Sequence, residues 1–294
     1  MIKQSTGDRF LQAVIYVLLS LILIIVLYPL LFVLSASVSN PEALLRGEVW
    51  LLPNGFTLDG YVKVFQDKSI LNGFKNTILY TVVGTAVNLV LSIMIAYPLS
   101  RRDFYGRNVI SALLVFTMFF SGGMIPMYLL MKDLHLLNSM WAMILPGAVS
   151  VWNVVIIRTF FQTSIPNEIQ EAASIDGCSN LQTLVRIVLP LSAPIIAVMV
   201  LFYAVSHWNA FFNALIYLTD SSKYPLQIVL RKLLIQENMD ELVSSIDEDK
   251  IKRMMQVEGL KYAVVVVANL PVLILYPMLQ KYFVKGVMVG ALKG

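Results

Sequence analysis

Six apolar runs constrain the fold of this chain more than any other feature of its sequence. In order, they cover residues 10–34, 76–99, 108–131, 140–161, 191–218 and 259–284. Each has the roughly 20 residues that an α-helix needs to cross a bilayer. Strands of a membrane barrel would alternate in polarity at every second residue, and these runs do not. The sequence therefore predicts an all-α polytopic membrane protein with six transmembrane helices, in a single domain over residues 1–294.

The charged residues predict how this bundle is oriented. The chain is 58% hydrophobic and 14% charged, against about 25% charged residues in soluble domains. The first run is longer than a signal-peptide core of about 7–15 residues, so we expect it to be retained, with Lys3 and Arg9 inside. Six spans then place both termini and segment 162–190 in the cytoplasm, and loops 35–75 and 219–258 outside. Basic residues outnumber acidic ones in the inner segments, as the positive-inside rule requires.

The polar stretch 164–190 separates the fourth and fifth runs and contains signals for two short helices. Pro166 suits the first turn of a helix, and Glu168 and Glu171 suit its N-terminal half. Asp176 and Gly177 follow, and glycine accepts the positive φ that commonly ends a helix. The pattern predicts a helix from Pro166 to a turn at Gly177.

A second short helix is predicted directly after this turn. Ser179 and Gln182 have the spacing of a capping box, which marks the start of a helix. Pro190 is expected to end it. Its apolar positions fall on one face. They are Leu181, Leu184, Val185, Val188 and Leu189.

This stretch resembles the EAA loop of ATP-binding-cassette importer permeases. The likeness rests on Glu171-Ala172-Ala173, on Gly177, and on Ile187 followed by Leu189-Pro190. Asp176 is similar to the sugar-transporter version, whereas Cys178 stands where that version more often has alanine. The resemblance implies that the first helix docks into a groove of a cytoplasmic ATPase and carries its motion to the membrane helices. The coupling residues so implied are Glu168, Glu171, Ala172, Ala173, Asp176, Gly177, Leu189 and Pro190.

The resemblance, to the carbohydrate (maltose-type) permeases, also implies the partners of the chain. These are a second homologous permease, two copies of the ATPase, an extracytoplasmic sugar-binding protein and the lipid of a bacterial cytoplasmic (inner) membrane. The sequence has no Gly-x-x-x-x-Gly-Lys-Ser/Thr phosphate loop, so ATP and Mg are expected on the separate ATPase. We expect no enzyme activity, catalytic residue or bound cofactor in this chain.

Two further kinds of partner are not expected. One cysteine, Cys178, and two histidines offer no ligand spacing for a metal site. The net charge of +4 comes without a basic stripe interleaved with aromatic residues, so no nucleic-acid partner is predicted.

Polar and aromatic residues inside the runs are candidates for a substrate pathway, because such groups are costly in lipid unless they face a bundle interior or a wet cavity. The third run contains Phe119-Phe120-Ser121-Gly122-Gly123-Met124-Ile125-Pro126, whose glycines and proline should loosen the helix. This segment resembles a subgroup of permeases for polysaccharide fragments, which implies an oligosaccharide substrate, with uronic-acid-containing alginate or pectin fragments in view. The candidates are Gly122, Gly123, Ser150, Trp152, Asn153, Trp208, Asn209, Phe212 and Asn213. Close helix approach and interhelical hydrogen bonds remain open as alternatives.

The two outer loops have open roles. A short helix on the outer membrane face is predicted within 57–74, and a charged helix over 240–256. The first either packs over the bundle or forms part of a docking platform for an external partner. For loop 219–258, the resemblance to sugar-importer permeases implies contact with the extracytoplasmic binding protein, and a solvated cap remains the alternative.

Two other functions use the same residues differently. An ion-coupled secondary sugar transporter would need an ionisable side chain near the membrane midplane, and His207 is the one candidate. An intramembrane serine hydrolase would pair Ser121 with His207, but Phe119 stands where the nucleophile motif requires glycine. A channel would show a filter motif or charged ring, and neither is present.

Overall fold

The computed structural model of the protein describes residues 6–241 and 248–291, most of which are helical, with no strand among them. Fifteen α-helices follow one another within these described residues. They are α1 Thr6–Ser37, α2 Pro41–Leu45, α3 Asp59–Gln66, α4 Lys68–Ser100, α5 Arg107–Phe119, α6 Met124–Asp133, α7 Met140–Ile144, α8 Val151–Ser164, α9 Asn167–Ile175, α10 Asn180–Thr183, α11 Leu189–Leu191, α12 Ala193–Trp208, α13 Phe212–Tyr217, α14 Leu226–Glu241 and α15 Glu248–Ala291. The all-α prediction is confirmed.

In the part of the chain that the structure describes, three helices are long and apolar enough to cross a membrane unbroken. They are Gly7–Ser37 within α1, Lys68–Ser100, and Val257–Pro277 within α15. Three bent pairs also pass this test, namely α5 with α6 at 109°, α7 and its following turn with α8 at 57°, and α10–α11 with α12 at 84°. Counting each pair as one span gives six crossings, the number that the sequence predicts.

The third run is two helices rather than one. Helix α5 ends at Phe119, and α6 starts at Met124 after Gly123, whose φ of 85° and ψ of 178° are accessible to glycine but strained for other residues. Pro126 lies in the first turn of α6, where its missing N–H costs no helical bond. The loosening predicted from these residues is therefore a complete break.

The fourth run also breaks, whereas one uninterrupted span is predicted over 140–161. A 3₁₀ turn, Leu145–Gly147, contains Pro146 and follows α7, and Ser150 then caps α8 by accepting a hydrogen bond from the Asn153 N–H. The amide of Asn88, from α4, donates to the Gly147 carbonyl at 3.3 Å. Irregular backbone is tolerated at membrane depth when protein groups satisfy it in this way.

The outer segment after α1 also differs from its prediction. The single helix expected within 57–74 is interrupted at Asp67, which caps the start of α4 by accepting hydrogen bonds from the Ser69 and Ile70 N–H groups at 2.7 and 3.2 Å. Helix α3 therefore ends at Gln66. The helix predicted over 240–256 falls partly on residues 242–247, which lie outside the described residues.

The chain forms two compact units. One contains α1 to α3 with the segment Leu230–Asn269, and the other contains Asn72–Val229 with the chain from Leu270. Every predicted site residue lies within Asn72–Val229.

In the second unit, α4 packs closely on α12. A Cβ on Gly84 would lie 2.5 Å from Nε2 of His207, so a larger residue there would require the His207 ring to shift.

Candidate functional site

A cavity of about 440 Å³, which we name the cleft, is lined by residues from two backbone breaks. These are the break between α5 and α6 and the break at Pro146 in the fourth run. One wall is the break between α5 and α6, and another is helix α13, which follows the end of α12. The lining residues are Ser121, Gly122, Gly123, Met124, Pro126, Met127, Leu130, Pro146, Phe212, Asn213, Ile216 and Tyr217. All are uncharged, so the cleft combines apolar surface with neutral hydrogen-bonding groups.

Helix α13 presents one face to the cleft. Asn213, Ile216 and Tyr217 are spaced three and four residues apart, which places them side by side on the helix. Tyr217 is buried and stacks on Tyr128 of α6, with ring centroids 6.3 Å apart and planes 10° apart. Its carbonyl accepts a hydrogen bond from the Asn138 N–H at 2.8 Å. These contacts hold α13 against α6 and against the loop that follows α6.

The chemistry of the cleft suits a sugar. The Ser121 hydroxyl, the Asn213 amide and the Tyr217 phenol can exchange hydrogen bonds with sugar hydroxyls. The Phe212 ring, about half exposed, offers an apolar face to sugar C–H groups. The cleft can therefore bind a neutral polyol surface, and it carries no cation for a carboxylate.

Four of the nine predicted pathway residues come together in the cleft, namely Gly122, Gly123, Phe212 and Asn213. The other five are Ser150, Trp152, Asn153, Trp208 and Asn209, which the structure does not place among the lining residues.

Three of those five side chains make contacts within the helices or between them. Ser150 caps α8, and Asn209 donates to the Val205 carbonyl at 3.0 Å at the end of α12. Trp208 is buried, with its ring centroid 6.3 Å from that of Phe74.

Helix periodicity could have found one lining residue that the sequence analysis missed. Tyr217 lies four residues after Asn213, so a helix at that point puts both on one face. Met127 and Leu130 had no such signal, because apolar residues in a span do not distinguish a cleft from lipid.

The histidine of the two alternative functions lies away from the cleft. Nε2 of His207 is 3.2 Å from the Asn88 amide nitrogen, and its ring packs on Gly84. His207 is absent from the residues that line the cleft with Ser121. The geometry therefore does not support a Ser121–His207 pair.

The first predicted helix of the polar stretch is α9. It runs from Asn167 to Ile175 and is followed by Gly177 with φ of 77°. The Cys178 N–H donates to the Ala173 carbonyl at 2.9 Å, and the Gly177 N–H donates to the Ser174 carbonyl at 3.1 Å, which satisfies the last carbonyls of the helix. This agrees with the turn predicted at Gly177.

Most predicted coupling residues of this first helix and its turn are accessible. The side chains of Glu168, Glu171, Ala172 and Asp176 are exposed, as is Gly177, while Ala173 is buried. The helix thus presents a charged outer face and anchors itself by its inner alanine.

The second predicted helix starts as expected and ends differently. The Ser179–Gln182 capping box is present, with the Ser179 N–H donating to Gln182 Oε1 at 2.8 Å. Pro190 does not end the helix. A π-helical turn over 184–188 precedes it, and the chain continues to Leu191 before the 84° bend at residue 192. The wider turn accommodates the proline, which has no N–H for an α-helical bond.

The apolar face predicted for this helix is only half correct. Leu184 and Val188 are buried and Leu189 is partly buried, whereas Leu181 and Val185 are exposed. The bundle covers only part of this five-residue face, so the remaining two side chains stay exposed.

One hydrophobic core joins the polar stretch to the bundle. It contains Ile165, before α9, and Leu184 and Val188 from the second helix. The same cluster includes Ile93, Ala96 and Tyr97 of α4, Val154, Ile157 and Phe161 of α8, and Ile195, Met199 and Tyr203 of α12. Close-packed interiors transmit displacement with little compression, so movement of this stretch should move α4, α8 and α12.

The turn between α4 and α5 borders α9. A polar cavity of about 260 Å³ is lined by Arg101, Arg102 and Asp103 of the turn, and by Asn167, Gln170, Glu171 and Ser174 on one face of α9. Arg101 forms a two-bond ion pair with Asp103, at 2.8 Å from Nε to Oδ1 and 2.7 Å from Nη2 to Oδ2. The hydrogen bonds from Arg101 hold the pKa of Asp103 below its usual value. The ion pair stiffens the turn that faces Glu171.

Comparison with known proteins identifies the family of this chain. The family described as "Binding-protein-dependent transport system inner membrane component" matches residues 88–289. The chain is 44% identical over 270 residues to Protein LplC of Bacillus subtilis (strain 168), covering 92% of this chain and 90% of that protein. It is 42% identical over 292 residues to the polygalacturonan/rhamnogalacturonan transport system permease protein YtcP of the same organism, covering 98% and 99%.

A solved structure is similar along the whole chain. It is a crystal structure of a bacterial ABC transporter involved in the import of the acidic polysaccharide alginate. One of its chains is 34% identical, with a TM-score of 0.86, and the match covers 96% of this chain and 100% of that one. The family match over residues 88–289 includes both the cleft and the polar stretch. This chain belongs to the family of binding-protein-dependent transport system inner membrane components, and it is a membrane permease subunit.

Proposed function

We propose that the chain, paired with a second homologous permease, forms the translocation path of an ATP-driven importer for oligosaccharides. An extracytoplasmic binding protein delivers the sugar, and two copies of a cytoplasmic ATPase supply the energy. The chain itself holds no cofactor, since ATP and Mg bind to the ATPase. In this arrangement it lies in a bacterial cytoplasmic membrane with both termini and α9 on the cytoplasmic side.

The observation that carries the proposal is the position of α9. Its outer face, with Glu168 and Glu171, is accessible to a partner protein. Ile165 before it, and Leu184 and Val188 of the second helix after it, belong to the core shared by α4, α8 and α12. A partner that moves α9 therefore moves three membrane helices together. Because α12 leads into α13, this movement reaches the wall of the cleft.

Three of the coupling residues have distinct roles in this mechanism. Glu171 contributes a carboxylate at the docked surface, opposite the turn with Arg101 and Arg102. Gly177 allows the sharp exit from α9. Leu189 holds the second helix against the bundle beside Val188, whereas Pro190 is exposed.

The substrate class follows from the relatives together with the cleft. YtcP is named for polygalacturonan and rhamnogalacturonan, and the similar structure imports alginate, so both handle acidic sugars. We assign acidic oligosaccharides to this transporter. Since the cleft of this chain is uncharged, its role is to bind hydroxyl and C–H groups, and the carboxylates are met by the partner permease or the binding protein. The ion-coupled alternative has no comparable support.

Two substitutions test the coupling role. Glu171→Lys reverses the charge at the docked surface, and Gly177→Pro cannot adopt a φ of 77° because the proline ring fixes φ near −65°. Both should abolish uptake and the stimulation of ATP hydrolysis by loaded binding protein, while the chain remains inserted in the membrane. Asp133→Lys, a charge reversal at the exposed last residue of α6, is the matched control and should transport normally. Normal transport by the Glu171 and Gly177 variants would disprove the coupling role.

A competition assay tests the substrate class. Reconstituted transporter should take up labelled oligogalacturonate, and unlabelled uronic-acid oligosaccharides should inhibit this uptake more strongly than neutral oligosaccharides of equal length. Stronger inhibition by the neutral sugars would contradict the assignment.

A further inference from the structure

An exposed apolar loop follows the first membrane helix. Trp50, Leu52 and Phe56 are 68%, 80% and 71% exposed, and Leu51 is half exposed. Most surface apolar residues are scattered singly, whereas these fall within seven consecutive positions. The loop therefore presents a contiguous apolar surface, which is unfavourable to leave exposed to water.

Hydrogen bonds fix this loop against the end of α1. The Ser35 hydroxyl, in the last turn of α1, donates to the Leu51 carbonyl at 2.6 Å. The Asn54 N–H donates to Ser39 Oγ at 3.1 Å, and the Thr57 N–H donates to the Val38 carbonyl at 2.9 Å. Leu51 is thus held beside a residue of the membrane helix itself, and the loop does not extend away from it.

This register sets the depth of the loop. Helix α1 is the most apolar candidate span, and it ends at Ser37. A backbone that pairs with Ser35 lies at the level where the apolar run meets the headgroup region. Tryptophan and apolar side chains at that level are typical of residues that anchor a protein at the membrane–water boundary.

We propose that the loop from Trp50 to Phe56 is an interfacial anchor, which inserts its apolar side chains into the headgroup and upper acyl region of the bilayer beside the end of α1. The lipid surface is its partner because the loop continues the apolar surface of a helix whose side chains are exposed along residues 7–31. Next to the loop, Glu48 accepts a hydrogen bond from the Asn54 amide at 3.2 Å. The anchor fixes the tilt and depth of α1.

Spin labels at single cysteines test this proposal. The sequence has one cysteine, so Cys178→Ser gives a cysteine-free background. Leu52→Cys and Phe56→Cys report on the loop. Glu48→Cys is the aqueous control, and Leu23→Cys, in the middle of α1, is the lipid control. Each labelled chain is assembled with cysteine-free partner subunits in lipid nanodiscs, and relaxation is measured with oxygen and with the water-soluble nickel complex of ethylenediaminediacetate.

Labels at positions 52 and 56 should collide with nickel several-fold less often than the label at 48, and with oxygen more often, giving depths between the two controls. Nickel accessibility equal to that at position 48 would overturn the proposal. Protection of labels 52 and 56 from nickel that appears only after binding protein is added, and does not depend on lipid, would also overturn it. That result would mean that the loop contacts the binding protein and not the bilayer. These readings do not depend on transport, so their failure would leave the proposed function standing.

Discussion

The hydroxyl groups of Ser92 and Tyr203 lie 2.6 Å apart and join α4 to α12 inside the bundle. Both side chains are buried, and Tyr203 belongs to the core that also holds the polar stretch. Removing one partner leaves the other as a buried, unsatisfied hydroxyl, which costs about 1–3 kcal/mol.

We therefore predict that Ser92→Ala and Tyr203→Phe each lower the apparent melting temperature of the purified transporter by a few degrees. The double variant should lose less than the sum of the two, because it leaves no unpaired hydroxyl. Thermal unfolding of all four forms gives the coupling energy directly. Strictly additive losses would mean that the hydrogen bond contributes nothing to the packing of α4 on α12.

Adjacent glycines at the cleft should respond very differently to alanine. Gly123 has a φ of 85°, where an alanine costs about 1–3 kcal/mol in strain, so Gly123→Ala should distort the break between α5 and α6 and strongly reduce uptake. At Gly122 the nearest atom to an added Cβ is 3.8 Å away, and φ is not positive, so Gly122→Ala should transport nearly as the wild type. Initial uptake rates at equal membrane expression measure this contrast. Wild-type uptake by Gly123→Ala would show that the backbone conformation at this break is not needed for transport.

The Arg101–Asp103 ion pair predicts a pH dependence. The folded-state pKa of Asp103 is lowered chiefly by its hydrogen bonds to Arg101, so the pair stabilises the protein above the unfolded-state pKa of about 4 and loses this contribution as the pH falls. Because Asp103 is largely exposed, the effect should be below about 1 kcal/mol. The difference in melting temperature between wild type and Asp103→Asn should be largest near neutral pH and shrink below pH 4. A difference that grows on acidification would contradict this sign.

Short-range features of the fold could be predicted from the sequence. The start of α9 after Pro166, the turn at Gly177 and the capping box at Ser179 depend on neighbouring residues and on backbone rules that apply within one helical turn. The break at Gly123 was anticipated for the same reason. At these positions the residue type itself indicates the backbone conformation, so no distant contact is needed to predict it.

Features that depend on distant contacts could not be predicted. The break in the fourth span involves the Gly147 carbonyl and Asn88, which are 59 residues apart. Whether Leu184 or Leu181 of the second helix is buried depends on where α4 and α8 pass. The cleft likewise depends on how α13 packs on α6, so polar residues such as Ser150 and Asn213 looked equivalent until that packing was known.

Cross-linking from the end of α9 tests the central claim most directly. Ile175, the last residue of this helix, is 86% exposed, so a benzophenone amino acid can replace it without disturbing the core. We predict that ultraviolet irradiation of the intact, transporting complex gives an adduct between this chain and the cytoplasmic ATPase. An adduct with the extracytoplasmic binding protein, or no adduct in an active complex, would contradict the account.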